Sequence, residues 1–139
     1  MTADKVWIVD DDRSIRWVLE KALAQEGLAA TAFEDAQQVL ARLARERPHA
    51  IITDIRMPGI DGLTLLAKIR MEQPDIPVIV MTAHSDLDSA VSSYQGGAFE
   101  YLPKPFDVDE AISLVKRAVA HHHEQHQDNL PSISMPKGV

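Results

Sequence analysis

Short apolar runs and stretches of helical period alternate along this chain five times, and few folds accommodate that order. Val6 to Val9 form the first apolar run, and Ile15, Val18, Leu19, Ala22 and Leu23 then fall at i, i+3, i+4, i+7 and i+8, the stripe of one helix face. Gly27 ends that helix. Residues 29 to 33 read as a second strand, and Asp35 caps a helix carrying Ala36, Val39, Leu40 and Leu43 that stops before Pro48. The β-branched run from Ala50 to Ile55 is the third strand. A Met57-Pro58-Gly59 turn follows, then a helix with Leu65, Leu66 and Ile69 up to Pro74. Val78 to Thr82 is the fourth strand, followed by a helix with Leu87, Ala90, Val91 and Tyr94 that stops at Gly96-Gly97. Residues 98 to 102 make a fifth strand. Asp107 and Glu110 have capping-box spacing, and they open a last helix bearing Ile112, Val115 and Val119.

Near-continuous apolar strands joined by helices predict a parallel sheet with helices on both faces, an α/β domain in three layers. The 139 residues suffice for one such domain and for a single core. Periodicity fades near Glu124, where Gln, Asp, Asn, two prolines and a glycine take over, so residues 1–123 read as the domain and 124–139 as a linker toward a missing part.

The balance of 21 acidic against 14 basic side chains gives a net charge of −7, which repels a polyphosphate backbone and argues against direct nucleic-acid binding. The absence of cysteine removes thiolate chemistry and fits a reducing compartment. Every apolar run falls far short of the ~18 residues of a membrane span, and no basic stretch leads into an apolar core at the N-terminus. The chain therefore reads as a cytoplasmic domain with no membrane contact.

In open parallel sheets, ligands bind beyond the carboxyl ends of the strands. The first strand delivers Asp10, Asp11 and Asp12 there, the third Asp54, the fourth Thr82, and the segment after the fifth Lys104. Crowded carboxylates raise one another's pKa unless a cation neutralises them, and oxygen ligands with room for water suit Mg²⁺. Asp12 also reads as a helix cap. Asp54 ends an apolar strand, where an unpartnered carboxylate is costly; ionised, it can attack phosphorus and form an acyl phosphate. A metal and Lys104 would offset the charge gathering on the transferred oxygens, and the Thr82 hydroxyl can donate to one of them. Prolines on both sides of Lys104 restrict its backbone, and a cis bond to Pro105 would turn the ammonium back over the sheet.

Together, Val9-Asp10-Asp11-Asp12, Asp54-Ile55-Arg56-Met57-Pro58-Gly59-Ile60-Asp61-Gly62, Met81-Thr82-Ala83 and Tyr101-Leu102-Pro103-Lys104-Pro105-Phe106 resemble the receiver domain of two-component response regulators. The likeness keeps order and spacing from residue 5 to about 120. Ser14-Ile15-Arg16-Trp17-Val18-Leu19-Glu20, Thr82-Ala83-His84-Ser85-Asp86-Leu87-Asp88 and Gly97-Ala98-Phe99-Glu100-Tyr101 resemble the nitrogen-regulator (NtrC) branch of that family. The resemblance implies a flavodoxin-like, CheY-like fold with strand order 2-1-3-4-5 and Asp54 as phosphoacceptor. It implies Asp11, Asp54 and the Arg56 carbonyl as Mg²⁺ ligands with Asp10 behind them, Thr82 and Lys104 as phosphoryl contacts, and Tyr101 as an aromatic that moves with Thr82. The implied partners are a sensor histidine kinase, an ATPase domain of the full protein acting on sigma-54 RNA polymerase, and a second receiver in a phosphorylation-dependent homodimer. Catalysis in the usual enzymatic sense is not expected, only Mg²⁺-dependent self-phosphorylation and slow loss of the phosphoryl group.

Three other readings compete. A flavin carrier of the same fold needs a hydroxyl- and glycine-rich loop after the first strand, where this chain has three aspartates. An aspartyl phosphatase needs an acid two residues beyond its nucleophile, and that residue is Arg56. A pure interaction module is distinguished only by a phosphorylation assay. His121, His122, His123 and His126 read as a solvated helix end, His84 as a loop residue near a helix start, and Trp7 and Trp17 as packing.

Overall fold

The structure, a computed structural model, describes residues 3–83 and 95–128. Five strands, β1 (Lys5–Val9), β2 (Ala29–Phe33), β3 (Ala50–Asp54), β4 (Val78–Ala83) and β5 (Glu100–Lys104), pair in parallel in the order β2-β1-β3-β4-β5. The α/β fold with its 2-1-3-4-5 order is thus as expected. The described helices are α1 (Arg13–Gln25), α2 (Ala36–Leu43), α3 (Gly62–Glu72) and α4 (Val108–Asp128). The helix expected over 86–95, with Leu87, Ala90, Val91 and Tyr94, and His84 before it, lie outside the described residues, apart from Gln95.

Alternation along the strands separates two cores. Trp7, Val9, Ile51, Val78 and Val80 point to the face covered by α2 and α3, while Val6, Ile8, Ile52, Ile79, Met81 and Leu102 meet α1 and α4 on the other. Burying each large side chain of this kind stabilises by about 1.5–3 kcal/mol. Aspartates start three of the helices: Asp12 accepts from the Ser14 and Ile15 amides, Asp35 from Gln38, and Asp61 from Thr64. Asp107 also acts as a cap, but it accepts from the Asp109 amide at 3.0 Å, one residue before the Glu110 of the expected box.

One boundary differs from the sequence reading. The fifth strand was expected over 98–102 and is instead Glu100–Lys104, so Pro103 lies within it. A proline lacks a ladder donor, but β5 is an edge strand and its outer side has no ladder to supply. The last helix runs on to Asp128, beyond the residue at which composition turns linker-like. Just before that point, His122 Nδ1 lies 3.3 Å from the Asp75 carbonyl and His123 Nε2 lies 2.8 Å from Asp4.

Candidate functional site

The strand register assembles the site. Asp54 ends β3 opposite Met81, which puts Thr82 one residue further along β4; Thr82 pairs with Pro103, and Ala83 with Lys104. Asp10 follows β1 and is fully buried, Asp54 and Thr82 are buried, and Asp11 is exposed. One ligand atom each from Asp10, Asp11 and Asp54 lie within 4.8 Å of one another, so three carboxylates spread over 44 positions share one point.

Lys104 faces them across a cis bond to Pro105. Its ammonium lies 2.9 Å from Asp10 Oδ2 and 3.3 Å from Asp54 Oδ1. The other Asp10 oxygen accepts from the Asp12 amide at 2.8 Å. Asp10 is therefore satisfied by protein. Among the described residues Asp11 makes no hydrogen bond or ion pair, and Asp54 has its Oδ1 beside Lys104. Burial raises the Asp54 carboxyl above its ordinary pKa and the charge of Asp10 raises it further, while Lys104 opposes both. Burial pulls the Lys104 ammonium down, but its bond to Asp10 and the charges of Asp10 and Asp54 outweigh this and leave its pKa raised. The cluster has more negative charge than one lysine can balance. That is a chemical fit for a hard divalent cation.

The loop after β3 is held close to this point. Thr53 Oγ1 donates to the Asp54 carbonyl at 3.0 Å, and the Gly62 amide to the Ile55 carbonyl at 2.8 Å. A Cβ at Gly62 would collide with the Asp54 carbonyl, so only glycine lets α3 start this close to the phosphoacceptor candidate. Arg56 lies on the exposed side of the same loop. With Asp11, Met57, Pro58, Asp61 and Leu63 it lines an open cleft of about 570 Å³ beside the carboxylates. Asp12 spends its carboxylate on the α1 amides, in line with its reading as a cap. Tyr101 sits half-buried in β5 opposite Val80, on the face that also receives Thr82.

The structure also assembles a group that the sequence did not indicate. Asp4, His49 and His123 bring one potential ligand atom each within 4.8 Å at the opposite edge of the sheet, with Asp4 Oδ1 2.8 Å from His123 Nε2 and 3.6 Å from His49 Nε2. His49 Nδ1 accepts from the Lys5 amide at 2.9 Å, so the proton of the neutral ring sits on Nε2, where it faces Asp4. Of the four histidines read as a solvated helix end, His122 and His123 have ring centroids 5.2 and 5.4 Å from His49, and His123 stays exposed. His49 and Asp4 were missed because nothing in sequence links positions 44 and 119 residues from their partners. Gly62 did leave a signal, a poor helix former directly after a capping aspartate, whereas Arg16, which donates to the Asp10 carbonyl at 2.7 Å, left none.

A five-stranded parallel sheet whose carboxyl edge gathers three aspartates, a threonine and a lysine defines the receiver class of signalling domain. Residues 6–116 match the family described as "Response regulator receiver domain", and the chain belongs to that family. It is 60% identical over 131 residues to the DNA-binding transcriptional regulator NtrC of Salmonella typhimurium, covering 94% of this chain and 28% of that protein. It is 39% identical to the C4-dicarboxylate transport regulator DctD of Rhizobium meliloti over 84% of this chain and 25% of that one. Among solved structures, the apo receiver domain of nitrogen regulatory protein C superposes with a TM-score of 0.80 at 61% identity, covering 88% of this chain and 99% of that one. The chain thus spans about a quarter of the curated relatives' length. Among the described residues, no helix is long and apolar enough to cross a membrane.

Proposed function

We propose that this chain is the phosphoacceptor of an NtrC-like, sigma-54-dependent transcriptional regulator, working in the cytoplasm and taking its phosphoryl group from a sensor histidine kinase. One observation carries the reading: Asp54 is buried at the acid edge with Lys104 3.3 Å from its Oδ1 and with ligand atoms of Asp10 and Asp11 within 4.8 Å. An Asp54 oxygen attacks phosphorus, the bond to the donor imidazole breaks, and the aspartyl phosphate remains. Asp11, Asp54 and the Arg56 carbonyl would hold Mg²⁺, whose charge, when bound, lowers the cost of bringing a phosphoryl group against carboxylates. Asp10 keeps Lys104 in place, and Lys104 and Thr82 receive the phosphoryl oxygens. Thr82 drawn toward them, with Tyr101 following on the same face, would repack residues 86–101 and change receiver pairing and the assembly of an ATPase beyond the 124–139 linker. Neither the net charge nor any motif supports direct nucleic-acid binding by this chain.

Incubation with Mg²⁺ and acetyl phosphate, read by intact mass, tests the reading. One phosphoryl group should be added to the wild type and none to Asp54→Asn. An Asp54→Asn protein phosphorylated at the wild-type rate overturns the assignment.

A further inference from the structure

Asp11 is exposed and, among the described residues, makes no hydrogen bond or ion pair, so its backbone aims its carboxylate at Asp10 and Asp54. Both peptide groups that flank it are clipped. The amide of the peptide after it, on Asp12, donates to Asp10 Oδ1 at 2.8 Å. The carbonyl of the peptide before it, on Asp10, accepts from Arg16 Nη1 at 2.7 Å. Arg16 sits in the first turns of α1, and its own amide makes an early helical bond, to the Asp12 carbonyl at 3.2 Å. Its guanidinium therefore reaches back six residues from a fixed base, and a planar donor fork holds a carbonyl with less lost freedom than a flexible ammonium.

We propose that Arg16 is a positioning residue for cation binding: by holding the Asp10 carbonyl it fixes the peptide plane that points Asp11 into the acid edge. This rests on the receiver reading, in which Asp11 is a Mg²⁺ ligand. Groups that orient a metal ligand typically change metal affinity about 10–100-fold when removed. Arg16 acts on one of two clips, so the low end applies. Its charge pulls the other way. Removing a cation held on the Asp10 carbonyl makes the acid edge more negative and, by electrostatics alone, tightens Mg²⁺ binding. The sign of the effect separates positioning from mere charge.

The test is a Mg²⁺ titration of the wild-type chain, Arg16→Ala and Arg16→Lys, followed by backbone amide shifts, with the thermal midpoint measured on each metal-free protein. Positioning predicts that Arg16→Ala weakens Mg²⁺ binding about tenfold and that Arg16→Lys, which keeps the charge and one donor, falls between. With acetyl phosphate, the Mg²⁺ concentration for half-maximal rate should rise by the same factor while the rate at saturating Mg²⁺ holds. A Kd for Arg16→Ala that is unchanged or tighter, against a wild type that binds, overturns the role of Arg16 alone. A wild type with no Mg²⁺ response overturns the receiver reading and this role with it. If Arg16→Ala does not fold, Arg16→Lys decides: a wild-type Kd contradicts the need for the fork.

Discussion

The sheet carries three potential metal ligands at each end, and the two groups differ in what their atoms are already doing. At the amino edge, Asp4 stands between two imidazoles, His123 at 2.8 Å and His49 at 3.6 Å, and the Lys5 amide fixes the His49 proton on Nε2. Each atom there has a proton or a partner, and a cation would first have to displace them. At the carboxyl edge, three carboxylates face one ammonium, and among the described residues Asp11 has no partner. Distance alone would rank the two alike. Unbalanced charge, not proximity, marks the edge fitted for a hard cation and a phosphoryl group.

The largest way to break this contrast is to remove Lys104. Lys104→Met leaves the fully buried Asp10 with the Asp12 amide as its side-chain partner, and loss of one partner from a buried pair costs about 3 kcal/mol, the low end because Lys104 is partly exposed. Urea denaturation without metal should show that loss. A midpoint within error of wild type would mean that Asp10 is not held by Lys104. Next, Asp11→Asn should weaken Mg²⁺ binding by about tenfold or more, roughly 1.4 kcal/mol, by removing a ligand. It also relieves crowding, so its metal-free melting temperature should rise, and a fall contradicts the crowded-carboxylate account.

Asp54 sharpens the contrast through pH. Folding raises its pKa through burial and Asp10, so between the ordinary carboxylate value and the raised one the folded domain binds more protons than the unfolded chain. Stability from this group is present at acid pH and is lost as pH rises through that window. Metal-free Asp54→Asn should therefore melt a few degrees above wild type at neutral pH, the gap closing toward pH 4. A gap that widens on acidification reverses the sign and refutes it. The smallest effect belongs to the amino edge. His123→Ala breaks an exposed pair, costs about 0.5 kcal/mol and leaves phosphorylation by acetyl phosphate unchanged.

The carboxyl edge was legible because each of its members ends a run that announces itself. Val6–Val9, Ile51–Thr53 and Val78–Met81 read as buried strands, and a parallel sheet brings their carboxyl ends, with Asp10, Asp54 and Thr82, to one side. Lys104 was placed correctly at that edge although its strand boundary was not, because Pro103 reads as a strand stop in any position but an edge. Asp12 was legible as a cap from local sequence alone. What stayed hidden depends on tertiary packing: the reach of Arg16 to a backbone carbonyl, the closeness of Gly62 to Asp54, and the meeting of Asp4, His49 and His123 from three distant segments.

The most direct measurement is a Mg²⁺ titration followed residue by residue through backbone amide shifts. The account predicts saturable changes at Asp10, Asp11, Asp54, Arg56 and Lys104 and none at Asp4, His49 or His123. Changes centred on the histidine edge, or no saturable change at the aspartates, would contradict it.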